Sequence, residues 1–400
     1  MRRAAWAGIS AVIALAAFGA GAFALLREPS GSTDTDRAAP STAPPSSSAP
    51  SSTVPAIEQA PTLLVWTSGG MPAALTDEIG ALPGVLRTTT VLGDLVDLVA
   101  TTDANGGPVD AAPAGMRIPL DGFAVDPASY APFAGTADRD AIARLQPGEA
   151  LLGATSAGLR RLGPGGALEL ANGSRVTVTG VVADESVGAA EVVVAASGAP
   201  AVGIDTPRFL LVAYSGERAA LEAAVAGLVP GRPVRFRAAG ETRFLRHADL
   251  VLPQSLVKER FGEFAYRPGA DRFVMVDPGY EAANIVTAPV PILGPITCHR
   301  AVLPALEGAL RELEQRGLAS LIDPAGYQGC FVASIIPGSG GVSRHSWGIA
   351  VDVNVLPNPG GLPSFADPQL EEVMERWGFV PGSRFINSDP GHFEYVRPPT

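Results

Sequence analysis

Residues 343–354 read SRHSWGIAVDVN and residues 388–396 read SDPGHFEYV, and these two stretches decide how the chain is read. From Gly348 onward the first alternates, with Ile349, Val351, Val353 and Val355 facing one way and Ala350, Asp352 and Asn354 the other. That is the two-residue period of a strand whose apolar side packs inward and whose polar side presents Asp352. His345 stands seven residues before Asp352, at the start of the same strand. The second stretch is another short alternating run, in which Phe393 and Tyr395 face away from His392 and Glu394.

Zinc takes neutral imidazoles and carboxylates, and catalytic sites use three protein ligands with a fourth position left open. His345, Asp352 and His392 supply that set. Hydrolysis also needs a carboxylate outside the ligand set to accept a proton from water, and both Asp389 and Glu394 lie within three residues of His392. Spacing alone leaves the choice between them open.

The combination S-x-H-x-x-G-x-A-x-D followed by D-x-x-H-F-E resembles the VanY-type zinc peptidases, a family of D-alanyl-D-alanine carboxypeptidases and L-alanyl-D-glutamate endopeptidases. The likeness spans residues 285–397 and is most specific in the two motifs. It implies that His345, Asp352 and His392 bind Zn2+, that Asp389 is the general base, and that Glu394 orients a ligand imidazole. Ser343, Arg344 and Trp347, inside the first motif, become candidate substrate contacts, with core packing the alternative for Trp347 and the expectation for Trp377. One feature departs from the family pattern. Its members place an arginine shortly after the glycine-aromatic segment upstream of the first histidine, whereas here GYQGCFVASII carries Ala333 and Ser334. Either Arg344 or Arg300 takes that part, or the metal stabilises the oxyanion alone.

Cys298 and Cys330 are the two cysteines of the chain, and the oxidising compartment implied by the N-terminus predicts that they pair. Between them Val302, Leu303, Leu306, Leu310 and Leu313 form a helical apolar stripe that stops at Gly317. His299 and His247 have no matching ligand partners; His299 is expected to be structural, and His247 structural or exposed.

The middle of the chain repeats itself. LLVWTSGGMPAALTDEIGALPG at residues 63–84 and LLVAYSGERAALEAAVAGLVPG at residues 210–231 align without a gap. Each reads as an apolar strand, a Ser-Gly turn, an amphipathic helix and a Pro-Gly stop, so two strand-helix-strand units sharing one sheet are predicted. Between them GEALLGATSAGLRRLGPGGALEL followed by VTVTGVVAD predicts a short helix and a β-rich insertion, with a strand over Arg175 to Val182. This middle region resembles the extracytoplasmic core domain of MacB-type ABC permeases, which implies a docking or positioning part rather than chemistry.

At the N-terminus Arg2 and Arg3 precede an uncharged run from Ala4 to Leu26, long enough to span a bilayer with the remainder of the chain outside. An uncleaved signal anchor is favoured over a cleaved one. A Pro, Ser and Thr tract then cannot bury enough surface to fold and reads as a disordered stalk. With 40 acidic against 29 basic residues and a net charge of -11, the chain has no electrostatic footprint for nucleic acid, which is excluded as a partner.

The resulting expectation is an α+β chain in four parts: cytoplasmic N-terminus and transmembrane anchor (1–30), linker (31–61), split α/β accessory domain with a β-rich insertion (62–245), and zinc peptidase domain (246–400). The function expected from it is hydrolysis of peptidoglycan stem peptides by a single-pass protein of the cell membrane, with the middle domain available to an envelope protein. A non-hydrolytic wall-peptide binding or scaffold protein is the alternative.

Overall fold

The computed structural model describes residues 60–248, 250–336, 341–355 and 367–399. The expected anchor and nearly all of the expected linker lie outside the described residues; among those described, no helix is long and apolar enough to cross a membrane. The chain is mixed α and β, and the described residues belong to one compact unit.

The two repeats interleave. Strand Thr62–Thr67 lies between Val234–Ala238 and Pro207–Tyr214, and Pro207–Tyr214 in turn pairs with Val85–Thr102, all antiparallel. Each repeat therefore contributes a strand, a helix (Ala73–Gly80 or Arg218–Leu228) and a second strand, with a strand of the other copy inserted between its own two. Leu63, Leu64, Val65, Phe209, Leu210 and Val212 are buried, as unbroken apolar runs in central strands require.

Val85–Thr102 is 18 residues long because it serves two sheets' worth of partners. Its first part pairs with Pro207–Tyr214, its middle with Ile118–Val125, and its last part with Ala167–Leu170. Through Val192–Ala195, Glu149–Gly153 and Arg175–Val182 the insertion returns to Ala167–Leu170 and closes on itself, leaving a second core around Leu98, Leu120, Leu152 and Val178. The strand expected over Arg175 to Val182 has those bounds, and the expected short helix is Ala154–Arg160.

A third core belongs to residues beyond 250. Helix Leu303–Gln315 buries the apolar stripe read from the sequence and packs near helix Pro368–Arg376, where Trp377 lies over Gly308 and donates to Glu312 (2.8 Å). The hairpin Ile285–Val290 and Gly294–His299 carries Cys298, which is disulfide-bonded to Cys330 at a Cα separation of 5.3 Å. His299 is buried with its ring nitrogens on the Phe261 carbonyl and the Ala301 N–H, a structural use of the imidazole. A small sheet orders Ala350–Asp352, His392–Tyr395 and Phe379–Pro381, with Asp352 directly opposite His392 and Ala350 opposite Glu394.

Helix Gln254–Phe261 joins the two halves through buried charge. Lys258, the single lysine of the chain, donates to Pro119 O and pairs with Glu191 (2.7 Å) and Glu263 (3.0 Å), while Arg160 pairs with Glu263 from the opposite side. Gln254 adds a hydrogen bond to Glu191 at 2.8 Å. Lys258 is thus both paired and hydrogen-bonded, the condition under which a buried charge is tolerated.

Candidate metal centre

The residues between Ser343 and Gly348 form a single tight turn, Arg344–Trp347, capped by the Ser343 hydroxyl, which accepts from the His345 N–H at 3.3 Å. Gly348 closes it at φ 67°, and a Cβ there would sit 2.7 Å from the His299 nitrogen, so the position demands glycine. The turn delivers His345 beside the strand that carries Asp352. Cross-strand pairing supplies His392, and the turn Asp389 to His392, with the His392 N–H on the Asp389 carbonyl at 3.0 Å, brings Asp389 to the same cleft.

His345 Nε2 lies 3.1 Å from Asp352 Oδ1 and 3.2 Å from His392 Nδ1, and His392 Nδ1 lies 3.0 Å from the same Asp352 oxygen. Three donor atoms thus converge on one point, the only such group among the described residues. Each imidazole has a partner behind it, a hydrogen bond for His345 and a longer ion-pair contact for His392. His345 Nδ1 is 3.0 Å from the Cys330 carbonyl, and His392 Nε2 is 3.7 Å from Glu394 Oε2. Partners of this kind fix the tautomer and point the free lone pair at a metal. Two imidazoles and a carboxylate, oriented from behind, fit Zn2+.

The electrostatics follow from the packing. Burial works against charge on Asp352, but hydrogen bonds from His345 and His392 hold its carboxyl below the usual carboxylate range. His392 is also disfavoured as a cation by burial, yet the hydrogen bonds to Asp352 and Glu394 raise it to about 10. Asp389 moves the other way, since burial raises its carboxyl above the ordinary value. A carboxylate with raised affinity for a proton, beside but outside the ligand set, suits proton transfer.

Residues 337–395 match the D-alanyl-D-alanine carboxypeptidase family model. This is the resemblance carried by the two motifs, and it marks the C-terminal region as that of a carboxypeptidase-like peptidase. No curated protein matches the chain. Among solved structures, the middle region is similar to the periplasmic region of MacB from Actinobacillus actinomycetemcomitans, at 11% identity and a TM-score of 0.30 over 44% of this chain and 87% of that one. It is likewise similar to the extracellular domain of the noncanonic ABC-type transporter YknZ from Gram-positive bacteria, at 10% identity and a TM-score of 0.29 over 42% of this chain and 92% of that one.

The carboxypeptidase-like region does not form its cleft alone. A cleft of about 700 Å3 contains His345, Asp352, His392, Asp389 and Glu394 on one side and Trp66, Asp94, Asp121, Arg208 and Arg246 of the sheet region on the other. The loop between Gly382 and Gly391 rests on that sheet region: Asn387 Oδ1 accepts from the Ser68 hydroxyl, Arg235 donates to the Arg384 carbonyl at 2.6 Å, and Ile386 packs against the core that holds Trp66. Phe385 then places its ring 5.8 Å from that of His392.

The expected substrate contacts divide. Ser343 lines the cleft. Arg344 lines it too, with its guanidinium engaged by Glu394 (3.2 Å), the Leu252 carbonyl (2.7 Å) and the Val342 carbonyl (3.5 Å). Trp347 corrects the expectation: it is fully buried, packs at a tilt against Phe264 with ring centroids 4.6 Å apart and donates to the Gly262 carbonyl at 3.1 Å, so it packs the core behind the turn and does not line the cleft. Arg300 is exposed and lies outside the cleft lining. Two contributors escaped sequence reasoning. The Cys330 carbonyl is a backbone group with no sequence signal, and Arg246 lies almost a hundred residues before His345, with no motif around it.

Proposed function

We propose that the chain is a membrane-anchored, extracytoplasmic zinc peptidase that hydrolyses peptidoglycan stem peptides. The observation that carries this reading is the convergence of His345 Nε2, Asp352 Oδ1 and His392 Nδ1 within 3.2 Å of one another, each imidazole held from behind. The family match of residues 337–395 supports the substrate class, and the charge-free run after Arg2 and Arg3 supports the location.

His345, Asp352 and His392 would hold the ion. Zinc bound there supplies a Lewis acid that polarises the scissile carbonyl and makes water nucleophilic near neutral pH. The chain's own residues do the rest. Asp389 accepts the proton from water and returns it to the leaving amine, for which its raised proton affinity fits it. Glu394 takes no proton: it keeps the His392 ring turned, and Arg344 keeps Glu394 in place. The sheet wall opposite the ligands limits solvent and positions the peptide.

The test is digestion of purified peptidoglycan and of a D-Ala-D-Ala-terminated stem peptide by the full chain, with zinc and with chelator, followed by mass spectrometry. Chelator-sensitive loss of one D-Ala identifies a D,D-carboxypeptidase, and internal cleavage identifies an endopeptidase. Bound zinc with no product from either substrate would sink the peptidase reading.

A further inference from the structure

Arg246 belongs to the segment between strand Val234–Ala238 and helix Gln254–Phe261, where the chain passes from the sheet region to the carboxypeptidase-like region. It is buried, and its guanidinium is fixed on three sides. Nη1 lies 2.7 Å from Asp121 Oδ2 and donates to the Gly188 carbonyl at 3.0 Å, while the Phe123 ring lies 5.3 Å below the plane. Asp121 is itself held, because its N–H donates to Glu191 in the buried charge network at 2.9 Å.

The other edge of the guanidinium is unspent. Neither Nε nor Nη2 makes a hydrogen bond to an acceptor among the described residues, and neither is sealed from solvent. Arg246 lines the cleft that holds His345, Asp352 and His392. Arg344, which pairs with Glu394 at 3.2 Å, lines the same cleft. Arg344 has its own donors committed, and Arg208 is paired with Asp94 at 2.7 Å and donates to the Gly93 carbonyl.

A guanidinium edge of two parallel N–H groups, held rigidly in a partly desolvated cleft, matches the two oxygens of a carboxylate. Because its position is set before binding, little side-chain entropy is lost when the ligand arrives. We propose that Arg246 is the carboxylate receptor of the substrate cleft, so that the region outside the peptidase motifs chooses peptides carrying a free carboxylate close to the scissile amide. This rests on the peptidase reading for the scissile bond, but not for the binding event. Two sources offer the same chemistry: the C-terminal carboxylate of the peptide and a carboxylate on a residue within it.

The experiment compares four forms of one stem peptide on the zinc-loaded full chain: both carboxylates free, the terminal one amidated, the internal one amidated, and both amidated. Wild type should lose about tenfold or more in KM, with kcat little changed, when the recognised carboxylate is amidated, a loss equal to one charge-assisted hydrogen bond. The single amide that causes the loss identifies the source. Arg246→Gln should bind all four forms equally weakly, and Arg246→Lys, which keeps the charge without the fork, should recover only part of the preference. Zinc content should not move in either variant. Equal KM for all four peptides in wild type, or an equal loss on all four in Arg246→Lys, overturns the assignment. If Arg246→Gln does not fold, wild type and the lysine variant still decide. If no peptide is cleaved, calorimetric binding of the same four peptides to wild type and Arg246→Lys separates the outcomes: a carboxylate-dependent affinity that the lysine variant loses in part upholds Arg246 while the peptidase reading fails, and no affinity difference, or one unchanged in the variant, overturns the assignment.

Discussion

The carbonyl oxygen of Cys330 lies 3.0 Å from His345 Nδ1, so one half of the disulfide sets the tautomer of a residue that faces the metal position with its other nitrogen. On the proposed function, stability and metal affinity are therefore coupled through a single backbone group. Breaking the cross-link in Cys298→Ser/Cys330→Ser frees a span of 32 residues, worth about 3–4 kcal/mol in the chain-entropy model. Urea unfolding should show a loss of that order, and zinc competition should show weaker binding. Unchanged zinc affinity with lowered stability would mean that the carbonyl keeps its place without the disulfide.

Asp389 and Glu394 sit on either side of His392 in sequence, and the proposed mechanism gives them separate tasks. Asp389→Asn should retain one zinc per chain and lower kcat by about 10²–10⁴-fold. Glu394→Gln should instead weaken zinc binding or activity by about 10–100-fold, the usual cost of losing a group behind a metal-bound histidine. His345→Ala should lose the metal. Near-normal turnover in Asp389→Asn would transfer the base to Glu394.

His247 lies between Phe123 and Phe209, with ring centroids 6.4 and 5.7 Å away, and burial together with the charge of Arg246 lowers its imidazole from the ordinary 6.5 to about 3. Between those values the unfolded chain binds a proton that the folded chain refuses. The contribution to stability is therefore complete above pH 6.5 and is lost as pH falls toward 3. Urea midpoints measured from pH 7 to pH 4 should fall less steeply in His247→Phe than in wild type. Parallel slopes would show that His247 takes up its proton alike in the folded and the unfolded chain.

Lys258 pairs with Glu191 where no water can take its place, both side chains being fully buried. Lys258→Met leaves Glu191 with Gln254 as its remaining side-chain partner and should destabilise the chain by about 3–5 kcal/mol, read as a lowered urea midpoint. The double change Lys258→Met/Glu191→Leu should recover most of that loss. A single variant as stable as wild type would show that the pair contributes nothing.

Much of the centre was legible in local sequence. Alternation placed Asp352 and the His392 to Glu394 pair on strands, because strand period is a property of a few consecutive residues, and the two motifs singled out His345, Asp352, His392 and Asp389, which the fold gathers at one cleft. The same locality explains the repeat: two copies of one strand-helix-strand pattern announced themselves at a constant offset, and so did the apolar stripe of helix Leu303–Gln315. Trp347 misled because an aromatic within a motif looks the same in sequence whether it faces the cleft or the core; only the packing of Phe264 and the Gly262 carbonyl against it decided.

Amino-acid order by itself marked the residues that meet at the candidate metal centre, the two strand-helix-strand repeats, and the two cysteines that pair. Tertiary structure alone decided that strands of the two repeats interleave, that a cystine carbonyl stands behind His345, and that the sheet region walls the cleft and brings Arg246 to it. The physical reason is range. Ligand spacing and side-chain period act over a few residues, whereas the opposite wall of a cleft is set by packing and buried ion pairs such as Lys258 with Glu191, between groups 67 residues apart in the chain.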